Sequence, residues 1–275
     1  MPHLTRALLA FTALTCPLLA AAQDDRFRIN DMALRDPHVF VDFISCFDVT
    51  DDNPLGYSVN GELQAAIQSD GDGDGLLDFS SLIEFLPLDQ NQSANLMETG
   101  PADCSAPMAG TQCGPISQSQ LAGDATLSSS ITCLSAEPGS LHGYVPALVD
   151  SEAPCFASPT GALTLDLGGI PLPLQAARVG ARFVDSPASS LDLGVMRGFV
   201  SETDADNTIL PAGLPIIGGL PLSALLPGGT GNCAAHDDRD MLEGVRGWWF
   251  YLNFSAERIQ ALVPDVFRNG FEDPT

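Results

Sequence analysis

Asp70-Gly71-Asp72-Gly73-Asp74-Gly75-Leu76-Leu77-Asp78 puts four carboxylates within nine residues and separates the first three with glycines. Glycine lets the backbone bend tightly enough for alternate side chains to converge on one point. Oxygens arranged in this way suit a hard cation, and calcium takes about six to eight of them at roughly 2.3–2.6 Å. The chemistry on offer is Ca2+ binding by Asp70, Asp72, Asp74 and Asp78, with the backbone carbonyl of Leu76 as a fifth ligand. The alternative is a plain Asp/Gly turn, in which the same acids would repel one another with nothing to neutralise them.

Counted along the roughly twelve-residue loop of an EF-hand, Asp70, Asp72 and Asp74 fall at the first, third and fifth positions, and Gly75 makes the sharp turn. Leu76 supplies the carbonyl position, and Asp78 binds directly or through water. The closing position holds Ser81 in place of a bidentate glutamate, and Glu84 comes too late for that register. Asp70-x-Asp72-x-Asp74-Gly75-x-x-Asp78 therefore resembles the solitary loops of thrombospondin type 3 repeats and dockerins more than a sensor EF-hand. That resemblance implies an ion that holds a turn together.

A second polar cluster, Cys233-Ala234-Ala235-His236-Asp237-Asp238-Arg239-Asp240, follows a glycine-rich turn. It reads either as a catalytic or metal-binding loop with His236 as base or ligand, or as an exposed loop fixed by a disulfide and an Arg239–aspartate pair. The glycines lack the spacing and the lysine of a phosphate loop. The chain has no G-x-S-x-G, H-E-x-x-H or S-x-x-K motif. A hydrolase with paired carboxylates has no local signature and stays open as the rival to a non-enzymatic binding protein.

The elements that must position these residues are mostly strands. Glycine and proline number 26 and 21, which fits a protein of many turns. Val39, Val41 and Phe43 share one parity, Trp248 to Phe254 is β-prone throughout, and Phe79 to Phe85 reads as a strand or as a second helix. A hairpin turning at Asp185 to Ser189 would pair Val184 with Ser190, Phe183 with Leu191, Arg182 with Asp192, Ala181 with Leu193 and Val179 with Val195. Two short helices are expected, one capped by Asn60 over Gly61 to Ile67 and one capped by Ser201 and reaching toward Leu210. A helical turn is expected near Leu222 to Leu226. The fold class is mainly β, an antiparallel β-sandwich or related two-sheet form with a few short helices.

Residues 1–22 read as a secretory signal peptide: Arg6, an apolar run from Ala7 to Leu19, then Ala20-Ala21-Ala22 as the cleavage site. Cys16 raises a lipoprotein alternative, which Ala13-Leu14-Thr15 before it disfavours. Residues 23–265 form a single secreted domain, followed by a short tail at 266–275. Six cysteines remain after cleavage, and loop closure favours Cys104–Cys113 and Cys133–Cys155, leaving Cys46–Cys233. Ile209 to Pro227 is apolar but holds too many prolines and glycines to cross a membrane as a helix. The net charge of −24 excludes nucleic acid as a partner, since that surface needs a basic patch.

Phe267-Arg268-Asn269-Gly270-Phe271-Glu272 resembles the F-x-[DN]-G-F-E ending of exported proteins of Xanthomonas-like proteobacteria. Leu214 to Leu222 with Trp248 to Phe254 resembles a family of secreted proteobacterial proteins without an assigned activity. Both imply an exported, secreted or periplasmic, Gram-negative protein. The leading expectation is a calcium-stabilised binding or surface protein with an extracellular glycan or protein partner. A third reading, an apolar ligand held by Ile209 to Pro227, requires a large internal cavity.

Overall fold

The computed structural model describes residues 25–259 except 43, 52, 55, 167–169, 215–216, 232 and 234–235. The expected signal peptide at 1–22 and the tail at 266–275 lie outside the described residues, as does Phe43.

Among the described residues twelve strands carry the fold: β1 (Asp25–Asp36), β2 (Phe40–Asp42), β3 (Cys46–Asp48), β4 (Ser81–Phe85), β5 (Ala94–Pro101), β6 (Leu121–Ser128), β7 (Cys155–Ala157), β8 (Gly161–Asp166), β9 (Pro171–Val184), β10 (Ser190–Ser201), β11 (Asp240–Leu242) and β12 (Val245–Ile259). Two helices, α1 (Val59–Gln68) and α2 (Glu202–Asn207), and a 3-10 turn at Leu222–Ala224 complete it. The class is mainly β and antiparallel, as the sequence led us to expect.

The main sheet runs β1-β4-β5-β6-β7-β9-β10-β12, and β12 also pairs with β1. Those eight strands therefore close into an antiparallel ring, and the apposed sheets expected from the sequence are opposite walls of one barrel. Closure gives each wall strand two neighbours, which removes exposed edges. The aromatic strand β12 makes the seam. It matches Leu252 to Leu34 and Phe254 to Met32 on β1, and Leu252 to Met196 on β10. β8 continues the β7 wall against β9, and β11 extends beyond β12.

Alternation fills the barrel. Phe27, Ile29, Phe85, Met196, Trp248 and Phe250 point into one continuous apolar core. Phe85 sits edge-on to both Phe27 and Phe156, at 6.3 and 5.0 Å between centroids. On the outer face Phe199, Trp249 and Tyr251 form a second cluster, packed against Ala136 and Leu148 of the long connection between β6 and β7. Cys133–Cys155 ties that connection to the wall. Cys104–Cys113 and Cys46–Cys233 are formed as well, so all three expected disulfides are present.

Three local expectations shift. The β9–β10 hairpin keeps Val184↔Ser190, Phe183↔Leu191 and Arg182↔Asp192, but a bulge at Leu193 (φ 43°) moves the remainder by one residue. Gly180 then faces Val195 and Val179 faces Met196, so the pairs Ala181–Leu193 and Val179–Val195 do not form. Such a bulge bends and twists the strand, which a closing barrel requires. Asn60 does not cap α1: the cap is Ser58, whose Oγ accepts from the Gly61 N–H at 3.1 Å. Asn60 is buried and instead accepts from Leu34 N at 2.7 Å and donates to Leu34 O at 3.1 Å, pinning α1 to β1. Ser201 does cap α2, accepting from Asp204 N at 3.0 Å, but the helix ends at Asn207, short of Leu210.

Candidate functional site

One end of the barrel collects the chemistry. The last residues of β1 and β10 and the first of β4, β9 and β12 meet there, and both helices are the connections at that end. The apolar stretch after α2 folds across the opening. Leu222 N donates to Thr208 O at 2.9 Å and Phe40 N donates to Leu225 O at 2.8 Å, which fixes the stretch over the mouth. Between it and α1 lies a cavity of about 690 Å3, with Leu34, Leu172, Leu210, Ile217, Leu222 and Phe250 in its walls. Its rim is acidic: Asp72, Asp74 and Asp78 border it, with Asp103 and Asp166.

The aspartate loop is that rim. α1 ends at Gln68, and Asp78 N and Phe79 N return to donate to Ser69 O and Ala66 O at 3.0 and 2.9 Å, closing the loop's neck on the helix. The other side is held by the Cys104–Cys113 ridge, where Leu77 N donates to Cys104 O at 2.9 Å and Ala106 N donates to Gly75 O at 3.0 Å. Inside the loop, Asp70 accepts from the N–H groups of Gly73, Asp74 and Gly75 at 2.7–3.0 Å. Gly73 and Gly75 have φ of 79° and 92°, in the left-handed region where glycine is the residue without strain. Within the stretch Phe79 to Phe85, Ser81–Phe85 forms strand β4, so among the described residues no second helix follows the loop.

Of the five expected ligands, the structure brings three together. Carboxylate oxygens of Asp70, Asp72 and Asp78 all lie within 4.8 Å of one another. Two oxygens on one calcium are separated by at most about 5 Å, so this triad fits the ion's size and oxygen preference. Asp74 stands apart from the triad, with its Oδ1 accepting from Leu76 N at 2.8 Å. Leu76 sits in an antiparallel bridge to Ser105 whose bonds use the Gly75 carbonyl and the Leu77 N–H, so its own carbonyl is not spent there.

A second cluster escaped the sequence. His38, His142 and His236 lie far apart along the chain, yet all three meet near Asp36, Asp48, Asp238 and Tyr144. His38 Nδ1 is 2.5 Å from Asp48 Oδ2, its ring stacks on Tyr144 at 4.0 Å, and its buried Nε2 has no hydrogen-bond partner among the described residues. Tyr144 Oη bonds Asp238 and lies 2.8 Å from His236 Nε2. His142 Nδ1 is 3.0 Å from Asp36 Oδ1. Burial of the Tyr144 phenol, together with Asp238, pushes its pKa far up. Burial also raises Asp36, although both bonds from His142 pull the other way. In this loop Arg239 pairs with Asp237 at 2.6 Å on the surface, the ion pair expected of an exposed loop, while Asp238 is buried beside His236. Only long-range topology unites these residues, and no local spacing announces them.

Comparison with family models, with curated proteins and with solved structures returned no match.

Proposed function

We propose that this protein is an exported, calcium-clipped β-barrel that binds an apolar small molecule in its end cavity. The observation that carries this reading is the cavity of about 690 Å3 walled by core side chains. Ligand pockets run from about 300 to 1,000 Å3 and are mostly apolar with a few polar groups at the edge. A ligand that buried about 300 Å2 of apolar surface there would gain roughly 7 kcal/mol before the cost of its immobilisation.

Ca2+ at Asp70, Asp72 and Asp78 serves as a clip. It neutralises the rim and fixes the neck of the loop on α1, which forms one side of the cavity. The remaining coordination is open to Asp74, the Leu76 carbonyl and water. The three disulfides fit an oxidising compartment. Export through residues 1–22 and a Gram-negative source belong to the same proposal. Titration with a neutral apolar dye such as Nile red, followed by displacement with long-chain alcohols and fatty acids, tests it. One saturable site per chain is the expected result, and no binding at all would contradict it.

A further inference from the structure

On the outer face of the barrel, away from the end cavity, β9 and β10 place Arg178 directly opposite Arg197. Like charges facing each other across an antiparallel pair are unfavourable. In a chain with 35 acidic and 11 basic residues, each arginine has ample choice of carboxylates. Arg197 has one, with Glu137 Oε1 at 2.5 Å from Nη2, and it also donates to Ser135 O at 2.6 Å. Arg178 donates only its Nε, to Ser158 O at 3.1 Å, and forms no ion pair among the described residues. Its guanidinium fork is left over.

The two arginines line a cavity of about 320 Å3 together with Trp249, Thr160 and Asp240. The Trp249 ring centroid lies 5.9 Å from Arg197 Cζ, and the inaccessible Oδ2 of Asp240 has no hydrogen-bond partner among the described residues. Arg197, largely buried, likewise has an Nε without a partner among the described residues. A bulge shapes the site: Ala176 and Ala177 of β9 both stand opposite Gly198, and Ala176 takes φ 48° to do so. The cavity therefore offers a cationic fork that lacks an anion and an indole surface for an apolar ring face.

We propose that this cavity binds a carboxylate-bearing sugar, a uronic acid, with Arg178 holding the carboxylate in a two-point contact. Guanidinium and carboxylate match in that geometry, and a point charge such as lysine does not reproduce it. Glu137 is already paired with Arg197, so the bound acid gives Arg178 a carboxylate partner of its own. The carbon face of the ring lies against Trp249.

Isothermal titration of the intact, oxidised protein with sodium D-glucuronate at constant ionic strength tests this, with D-glucose and sodium sulfate as parallel arms. Glucuronate is expected to saturate with a Kd on the order of 1 mM or below, sulfate at least about tenfold more weakly, and glucose undetectably. Arg178→Gln is expected to weaken glucuronate at least about tenfold without lowering Tm, because it relieves the repulsion from Arg197. If that variant fails to fold, Arg178→Lys is expected to show a similar loss. No glucuronate binding, glucose or sulfate binding as tightly as glucuronate, or full affinity in a folded Arg178 variant would overturn the proposal.

Discussion

Asp78 closes the aspartate loop on Gly71: the Gly71 N–H lies 3.0 Å from each oxygen of the Asp78 carboxylate. That contact brings the last acid of the run back to the first ones, next to Asp70 and Asp72. It also sets the rim of the end cavity, which both Gly71 and Asp78 border. The aspartate loop and the end cavity thus share one piece of backbone.

Calcium is expected to stabilise the protein through this contact. At free calcium about tenfold above its dissociation constant the gain is about 1.4 kcal/mol, or roughly 3–6 °C in Tm for a domain of this size. Asp72→Ala is expected to remove the shift. Thermal melts with calcium and with chelator check it, and superimposable wild-type curves would mean that the loop is a turn and nothing more.

The α1 cap separates two polar contacts of different weight. Ser58→Ala loses one N-terminal bond and is expected to cost about 1 kcal/mol. Asn60→Ala strands the Leu34 N–H and C=O in the interior and is expected to cost more, about 2–3 kcal/mol. Urea unfolding of both variants makes the comparison. A larger loss for Ser58→Ala would contradict this assignment of roles.

Much of the frame was legible in the sequence, for reasons that also mark its limits. Cys104–Cys113 and Cys133–Cys155 follow from short loop closure, and the third disulfide follows by elimination. The β9–β10 register is readable near the turn, where Phe183–Leu191 and Arg182–Asp192 fix both faces, and it is lost at Leu193 because a bulge depends on strand curvature set by the whole barrel. Closure itself joins β1 to β12, the two ends of the described chain, and leaves no local trace. Ser58 and Asn60 both suit a cap, and only the position of Leu34 decides between them. The aspartate triad is legible because its three members lie within nine residues of chain. The histidine cluster and the Arg178–Arg197 pocket were missed because theirs is a tertiary neighbourhood.

The longest covalent link, Cys46–Cys233, joins the β2–β3 hairpin to the loop that carries His236 and Arg239, across 187 residues of chain. Replacing both cysteines by serine is expected to cost about 2–4 kcal/mol in chemical unfolding. A change under about 0.5 kcal/mol would show that packing alone holds the two segments together.

The histidine cluster gives stability a pH dependence with a definite sign. Burial, the largest influence, holds Asp36 and Asp240 above the usual carboxylate value of about 3.9. Burial opposes protonation of His142, but the hydrogen bond and charge of Asp36, with Asp238 and Asp240, raise it on balance. For all three the folded pKa exceeds the unfolded one. The stabilisation by His142 is complete below about pH 6.5 and is lost as pH rises through its folded pKa, and that by the two aspartates is complete below about pH 3.9 and is lost the same way.

Asp237 runs the other way. Its hydrogen bond from Arg239 brings it down to about 2, so its contribution is present above the unfolded value and fades in acid. Tm is therefore expected to rise from about pH 8 to about pH 5.5, as His142 takes up its proton. His142→Gln should flatten the part above about pH 6.5. A wild-type Tm that stays level or drops between pH 8 and 5.5 would contradict this reading of the cluster.

The most direct measurement of the central claim is dye binding to the wild type and to Ala65→Trp, a substitution at an exposed position of α1 that borders the cavity. The indole projects over the mouth without entering the core. With calcium present, the wild type should bind one equivalent of Nile red. The variant should keep its Tm and lose affinity by about tenfold or more, equivalent to about 1.4 kcal/mol. Undiminished binding by a folded Ala65→Trp protein would show that the ligand site lies elsewhere, and an apolar dye that binds neither protein would end the case for the cavity.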